Sequence, residues 1–108
     1  MIKIGVIDLP KTTDDLVLSR IKEIAEKYRC QKVILFGSRA KGDHSPVSDY
    51  DIAIVDQGLS DIKKAYIFNE IDEIETLKKI DLIFIDPNKE INDSFTDNVL
   101  KEGVVIYG

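Results

Sequence analysis

Four short apolar segments constrain the fold of this 108-residue chain more than any other feature. Their boundaries are marked by glycine, proline or charged residues, as is typical of short strands. They run over Lys32 to Phe36, Asp49 to Val55, Ile80 to Ile85 and Val104 to Tyr107. With the helical patterns between them, the predicted order is α, β, β, α, β, α, β. The sequence therefore predicts an α/β (α+β) fold, a sheet with helices packed on it.

The link between the first two predicted strands contains no predicted crossover helix, so these strands should pair antiparallel and the sheet should be mixed. Before them, Thr12 or Thr13 is predicted to cap a first helix, with Asp14 and Asp15 in its first turn, that runs to about Arg29. Its apolar residues should lie largely on one side: Leu16, Val17, Ile21, Ile24, Ala25 and Tyr28.

Two further helices follow from the same patterns. Ser60 or Asp61 can cap a helix that reaches about Thr76, and a weaker helix is predicted from Ile91 to Lys101. The first of these has a broad apolar side: Ile62, Tyr66, Ile67, Ile71, Ile74 and Leu77. The alternating residues Ile2 to Leu9 could add an edge strand.

Length and composition narrow the class of protein. At 108 residues with 44% hydrophobic residues, the chain is predicted to be a single domain over residues 1–108. A net charge of -5 argues against binding long nucleic acids, which need a basic surface. No signal peptide and no apolar run of about 18 residues is present, so we expect a cytoplasmic protein without a membrane span. One cysteine, Cys30, and one histidine, His44, are too few for a zinc site, so any metal should be held by oxygen.

Asp49 and Asp51 are the first candidate metal ligands. On a strand, residues two apart point to the same side, so their carboxylates should lie together. Two such close negative charges are unfavourable unless a cation lies between them. Asp81 lies between apolar neighbours on the third predicted strand, and three carboxylates converge if that strand adjoins the second. The alternative is that Asp81 pairs with a neighbouring lysine, Lys78 or Lys79.

Three carboxylates, with waters and phosphate oxygens, match the way magnesium is held when it acts on nucleotides. In that interpretation Asp49 and Asp51 bridge the metal, and Asp81 is also the candidate general base. Gly37 and Ser38 are the candidate phosphate anchor, because a glycine at a strand end lets the backbone approach a ligand at the start of a helix.

Arg39 and Lys41 supply positive charge near this turn. Residues two apart on a helix face different ways, so one of them is expected to reach the nucleotide, with Arg39 preferred. Gly37 and Gly42 have the spacing of a Walker-type loop, but Asp43 and His44 stand where lysine and serine or threonine are required. Tyr50 adjoins the acidic pair and could flank a substrate.

The run Gly37 to Gly42, followed by Ser48-Asp49-Tyr50-Asp51, resembles the signature of the DNA polymerase beta nucleotidyltransferase superfamily. The short chain and the Ser-Asp-x-Asp ending resemble its minimal nucleotidyltransferase branch, the antitoxin partners of HEPN-domain toxins. This resemblance implies the polymerase beta-like palm fold. It also implies that Gly37 and Ser38 bind the triphosphate, while Asp49, Asp51 and Asp81 hold two magnesium ions.

The resemblance to the antitoxin branch implies the substrates as well. Its members transfer AMP from ATP to a tyrosine of the toxin, so a HEPN-domain toxin or another small helical protein is the expected partner. Many relatives carry arginine where this chain has Lys41, which keeps the charge but loses the planar two-pronged donor. A homo-oligomer or hetero-oligomer is compatible with this role.

Two other functions remain open from the sequence. The chain could be a binding module that neutralises its partner by occlusion, without catalysis. It could also transfer a nucleotide to a small hydroxylated molecule, with a second subunit completing the acceptor pocket.

Overall fold

The helices and strands follow the predicted order, with one short helix added. A computed structural model describes residues 15–42, 49–89 and 94–108. The elements are α1 (Leu16–Lys27), β1 (Lys32–Phe36), α2 (Ser38–Lys41), β2 (Tyr50–Val55), α3 (Asp61–Asp72), β3 (Ile80–Ile85), α4 (Ser94–Glu102) and β4 (Val104–Tyr107). The possible edge strand over residues 2–9 and the residue His44 lie outside the described ranges.

The four described strands form one mixed sheet in the order β3-β2-β1-β4. β1 pairs antiparallel with β2 and with β4, whereas β2 and β3 are parallel. The mixed sheet and the antiparallel first pair are therefore confirmed. Parallel neighbours need a connection that returns to the same end of the sheet, and α3 provides it between β2 and β3.

The two faces of the sheet have different coverings. On one face, Val33 and Leu35 of β1 and Ile52 and Ile54 of β2 are buried with residues of α1 and α3. On the other, a smaller cluster contains residues of β1, β2, β3 and α4: Ile34, Ala53, Val55, Ile85 and Val99. Because side chains alternate along a strand, Asp51 lies on this second face.

The start of α1 differs from the sequence prediction. Its N-cap is Asp15, whose Oδ1 accepts hydrogen bonds from the backbone nitrogens of Val17 at 2.9 Å and Leu18 at 3.2 Å. Thr12, Thr13 and Asp14 lie outside the described residues. The helix ends at Lys27, before Arg29, which has a positive φ of 56°. Leu16, predicted to face the core, is 83% exposed, and Leu18 is buried in its place.

Half of the residues on the predicted apolar side of α3 are exposed. The helix is capped by Ser60, as predicted, but ends at Asp72 rather than near Thr76. Of its predicted apolar side, Ile67 and Ile71 are buried, one turn apart, while Ile62, Tyr66 and Leu77 are exposed and Ile74 is partly buried. The helix therefore packs against the core through Ile67 and Ile71, and the rest of its apolar surface lies outside the core.

The last helix and strand agree with the prediction within a few residues. α4 is described from Ser94, since residues 91–93 of the predicted helix lie outside the described ranges. Strand β4 has the predicted bounds. Cys30 is buried. None of the helices in the described part of the chain is long and apolar enough to span a membrane.

Candidate active site

Asp51 and Asp81 occupy paired positions on the two parallel strands. In the register of β2 and β3 their Cα atoms are partners, and Asp49 lies directly before β2. Burial raises the pKa of the Asp51 carboxyl above its ordinary value, and the negative charges of Asp81 and Asp49 raise it further. The three predicted acids therefore act on one another electrostatically, as the sequence predicted for adjacent strands.

Lys79 contacts both of the outer acids. Its Nζ lies 3.3 Å from Oδ1 of Asp81, and its backbone nitrogen donates to Oδ1 of Asp49 at 3.3 Å. The alternative pairing of Asp81 with a neighbouring lysine is thus present. Both side chains of the ion pair are largely exposed, at 71% and 44%, so the pair contributes little to stability and can open readily.

Gly37 brings the turn after β1 against the carboxylate of Asp51. Its φ of 77° and ψ of -154° belong to a region that glycine alone adopts readily. A Cβ atom built on Gly37 would lie 2.2 Å from Oδ2 of Asp51. Ser38 follows as the first residue of α2, with an exposed side chain. The candidate phosphate anchor and the candidate metal ligands are therefore in contact.

Arg39 lies away from these acids, in a cluster with Asp15 and Tyr50 that the sequence analysis did not predict. Its side chain is 8% exposed, with its Nη1 3.8 Å from Oδ2 of Asp15 and its guanidinium 4.0 Å from the ring centre of Tyr50. The Tyr50 hydroxyl donates to the same Asp15 oxygen at 2.6 Å. Because side chains alternate along a strand, Tyr50 must lie on the face of β2 opposite to Asp51. This alternation is the sequence feature from which the position of Tyr50 in the cluster could have been predicted.

This cluster bears on two predictions, that Tyr50 could flank a substrate and that Arg39 is the basic residue that reaches the nucleotide. Tyr50 is 2% exposed and belongs to the core, so it does not flank a substrate. Arg39 joins α2 to β2 and to the start of α1, and so fixes the helix that begins with Ser38. Lys41 is exposed and borders a cavity beside Gly37. Of the two basic residues, Lys41 is the one on the open side of the turn.

We predict that Tyr50→Phe destabilises the chain by about 2 kcal/mol at neutral pH, because a buried hydrogen bond to a carboxylate is lost. Burial and the hydrogen bond to Asp15 raise the pKa of Tyr50 to about 12. An unfolded tyrosine ionises near pH 10, so stability from this proton is complete below that pH and is lost as the pH rises toward 12. Urea unfolding of both proteins from pH 7 to 11 measures this.

The stability difference between wild type and Tyr50→Phe should therefore shrink above pH 10. Tyr66→Phe is the matched control, because Tyr66 is 55% exposed and should show neither effect. A difference that stays constant up to pH 11 would contradict the assigned environment of Tyr50.

The donor atoms at this site fit a divalent cation such as magnesium. Carboxylate oxygens are its preferred protein ligands. A cation would offset the negative charges of Asp81 and Asp49, which add to burial in raising the pKa of Asp51. Within the described residues, no three acidic, histidine or cysteine side chains are already gathered as a ligand set. In the same residues, the Asp81 carboxylate contacts the ammonium group of Lys79.

Comparisons with known proteins agree with the geometry. Residues 19–108 match the family described as "Polymerase beta, Nucleotidyltransferase". A Methanocaldococcus jannaschii protein named "Putative protein adenylyltransferase" is 38% identical over 99 residues, covering 81% of this chain and 90% of that protein. A crystal structure from Sulfolobus solfataricus, titled a "putative nucleotidyltransferase", superposes with a TM-score of 0.54 at 25% identity, covering 92% of this chain and 89% of that one.

The match therefore extends over most of the chain and includes every described strand. Enzymes of this family generally use a nucleoside triphosphate and a divalent metal ion. The chain belongs to the polymerase beta nucleotidyltransferase family, and it is a nucleotidyltransferase.

Proposed function

We propose that this chain is a cytoplasmic, magnesium-dependent adenylyltransferase that acts as an antitoxin. It transfers AMP from ATP to a tyrosine hydroxyl of a HEPN-type toxin and so inactivates the toxin. The observation that carries the catalytic part is the pairing of Asp51 with Asp81, next to the Gly37-Ser38 turn. The name of the Methanocaldococcus jannaschii relative supports a protein as the acceptor.

The proposed reaction is an in-line displacement at the α-phosphorus. The acceptor oxygen attacks this phosphorus, the bond to the bridging oxygen of the β-phosphate breaks, and pyrophosphate leaves. Asp81 accepts the proton of the attacking hydroxyl. The Gly37-Ser38 turn and the Ser38 hydroxyl hold the leaving phosphates, with Lys41 supplying positive charge nearby. Asp49, Asp51 and Asp81 would hold two magnesium ions, which neutralise the charge that develops on the phosphate oxygens.

The test is a transfer assay with a HEPN-type protein as the candidate acceptor. Both proteins are purified and incubated with ATP and magnesium, and the partner is examined by intact mass and peptide mass spectrometry. The proposal expects one or more AMP groups on a partner tyrosine, and none when EDTA is added. An unmodified partner, with label on a small molecule instead, would favour the alternative enzyme with a small hydroxylated acceptor.

The role of Asp81 needs a separate test, because this residue also contacts Lys79. We predict that Asp81→Asn lowers the rate of AMP transfer by at least about 100-fold, the usual contribution of a general base. Lys79→Ala, which removes the same ion pair, should retain most of the rate. If both variants lose activity equally, Asp81 acts through Lys79 rather than on the acceptor. Single-turnover rates at saturating ATP separate these outcomes.

A binding module that neutralises its partner by occlusion is the second candidate, and the outer surface of α3 favours it. Ile62, Tyr66 and Phe68 on this helix are 67%, 55% and 51% exposed, and Leu77 in the following loop is fully exposed. Ile62 and Tyr66 are one turn apart on the same side of the helix, and an exposed apolar patch is typical of a protein interface. This surface would also dock an acceptor protein, so the active-site variants described below are needed to separate the two functions.

A further inference from the structure

A cavity of about 230 Å³ lies beside the candidate active site, between α2 and α4. Its principal lining residues are Phe36, Gly37, Lys41, Phe95, Asn98 and Glu102. The volume is below the range of about 300–1,000 Å³ that is usual for drug-sized ligands, so it suits one planar ring system rather than a whole nucleotide.

The cavity lies over β1, and the Asp51 carboxylate lies on the neighbouring strand β2. Phe36, which forms a wall, is the cross-strand partner of Asp51, and partners in an antiparallel pair have side chains on the same face. Adjacent strands are separated by roughly 5 Å, a gap that a ribose can span. Gly37 borders the cavity and also contacts the Asp51 carboxylate. A nucleotide with its α-phosphate at Asp51 can therefore reach the cavity with its base.

The cavity wall has the chemistry of a base-binding site. Phe95 and Phe36 meet edge to face, with ring centres 5.9 Å apart and planes at 84°. Phe95 is 52% exposed, so part of its side chain is accessible to solvent. Asn98 and Glu102 follow on the same side of α4, at spacings of three and four residues. An aromatic platform thus continues into a row of polar groups.

We propose that this cavity binds the adenine base of the donor nucleotide, and that Asn98 selects it. This inference rests on the proposed function. A carboxamide can accept from the N6 amino group of adenine and donate to N7, a pairing that guanine cannot offer because it carries an O6 acceptor at that position. The Glu102 carboxylate adds a second acceptor for the amino group. Phe95 supplies the stacking surface.

Binding of magnesium nucleotides to the full-length protein tests the inference by calorimetry. The probes are ATP, GTP and inorganic tripolyphosphate, which has no base. The wild type should bind ATP at least about tenfold more tightly than GTP, in the range of a good bidentate contact. Asn98→Ala should remove this preference. Phe95→Ala should weaken ATP binding by about tenfold, as expected for loss of base stacking, and leave tripolyphosphate binding unchanged.

Two further variants keep the test sharp. Phe95→Leu retains the apolar packing on Phe36 without an aromatic face, so it should weaken ATP binding even if Phe95→Ala is unstable. Leu100→Ala is the matched control on α4, because Leu100 does not line the cavity and is 43% exposed. Thermal unfolding of each variant checks that it is folded.

The outcomes separate this inference from the proposed function. If the wild type binds ATP and tripolyphosphate, and folded variants at Phe95 and Asn98 bind ATP as tightly and as selectively as it does, the base lies elsewhere and the adenylyltransferase proposal stands. The same conclusion follows if these variants weaken tripolyphosphate as much as ATP. If neither ATP nor tripolyphosphate binds the wild type, both proposals fail.

Discussion

Gly37→Ala should lower the rate of AMP transfer by about 100-fold and destabilise the chain by about 2–4 kcal/mol, because two unfavourable effects add at this position. The backbone of Gly37, with φ of 77° and ψ of -154°, is strained for any residue with a Cβ atom. The new methyl group would also lie 2.2 Å from Oδ2 of Asp51. Since Asp51 is the central acid of the site, relieving this clash moves it, and a displacement of about 1 Å can lower a rate about 100-fold.

Gly42→Ala is the matched control for this prediction. Gly42 ends the same short helix with a φ of 81°, and a Cβ atom there would meet nothing within 4 Å. It therefore has the backbone strain without the steric clash, and should cost about 1 kcal/mol with little loss of rate. Urea unfolding and AMP-transfer rates of both variants give the comparison. Equal effects at the two glycines would contradict the close approach of Gly37 to Asp51.

A double-mutant cycle isolates the clash itself. Asp51→Ala removes the carboxylate that the new Cβ atom would meet, so Gly37→Ala should be less destabilising in that background than in the wild type. Activity should stay absent in the double variant, because the carboxylate is missing. Purely additive stabilities would show that the strain at Gly37 lies in its backbone alone.

The strands of this fold could be predicted because their apolar runs are short and sharply bounded. β3 and β4 have the predicted bounds, and the antiparallel pairing of β1 and β2 follows from a link in which no crossover helix is predicted. Which strand lies beside β2 at the edge away from β1 depends on tertiary structure, because it is set by the way α3 returns the chain to the sheet. The convergence of Asp81 with Asp51 was therefore predictable only on the condition that β3 lies beside β2, a condition that the register meets.

The errors come from contacts between residues distant in sequence. Thr12 to Asp15 are all residues that can cap a helix, so local preference does not distinguish them, whereas the contacts of Asp15 with Tyr50 and Arg39 do. The position of Arg39 depends on the same contacts, and a four-residue helix has too little periodicity to predict it. On α3, apolar periodicity indicates an apolar surface. It does not show whether that surface packs against the protein's own core or against a partner protein.

Replacing the acidic pair Asp49 and Asp51 should lower the activity of the protein but raise its stability in the absence of metal. Asp49→Asn combined with Asp51→Asn removes two proposed metal ligands, and we expect transfer to fall by at least about 1,000-fold, since such a metal contributes several kcal/mol to the transition state. Without metal, the variant should be more stable than the wild type at pH 7. The raised pKa of Asp51 means that its ionised form is disfavoured in the folded protein, and asparagine removes that charge.

Magnesium and ATP should reverse this order of stability, because a ligand that binds only the folded wild type raises its unfolding temperature. Thermal unfolding with and without MgATP measures the reversal. Asp56→Asn is the matched control, since Asp56 follows the opposite end of β2 and should change neither activity nor the response to MgATP.

The same double variant separates the two antitoxin functions. If it no longer protects cells from the partner but still binds the partner, protection depends on AMP transfer. If it protects as well as the wild type, occlusion through the exposed surface of α3 is sufficient, and the carboxylates serve another reaction. Retained transfer activity would exclude Asp49 and Asp51 as the catalytic metal ligands.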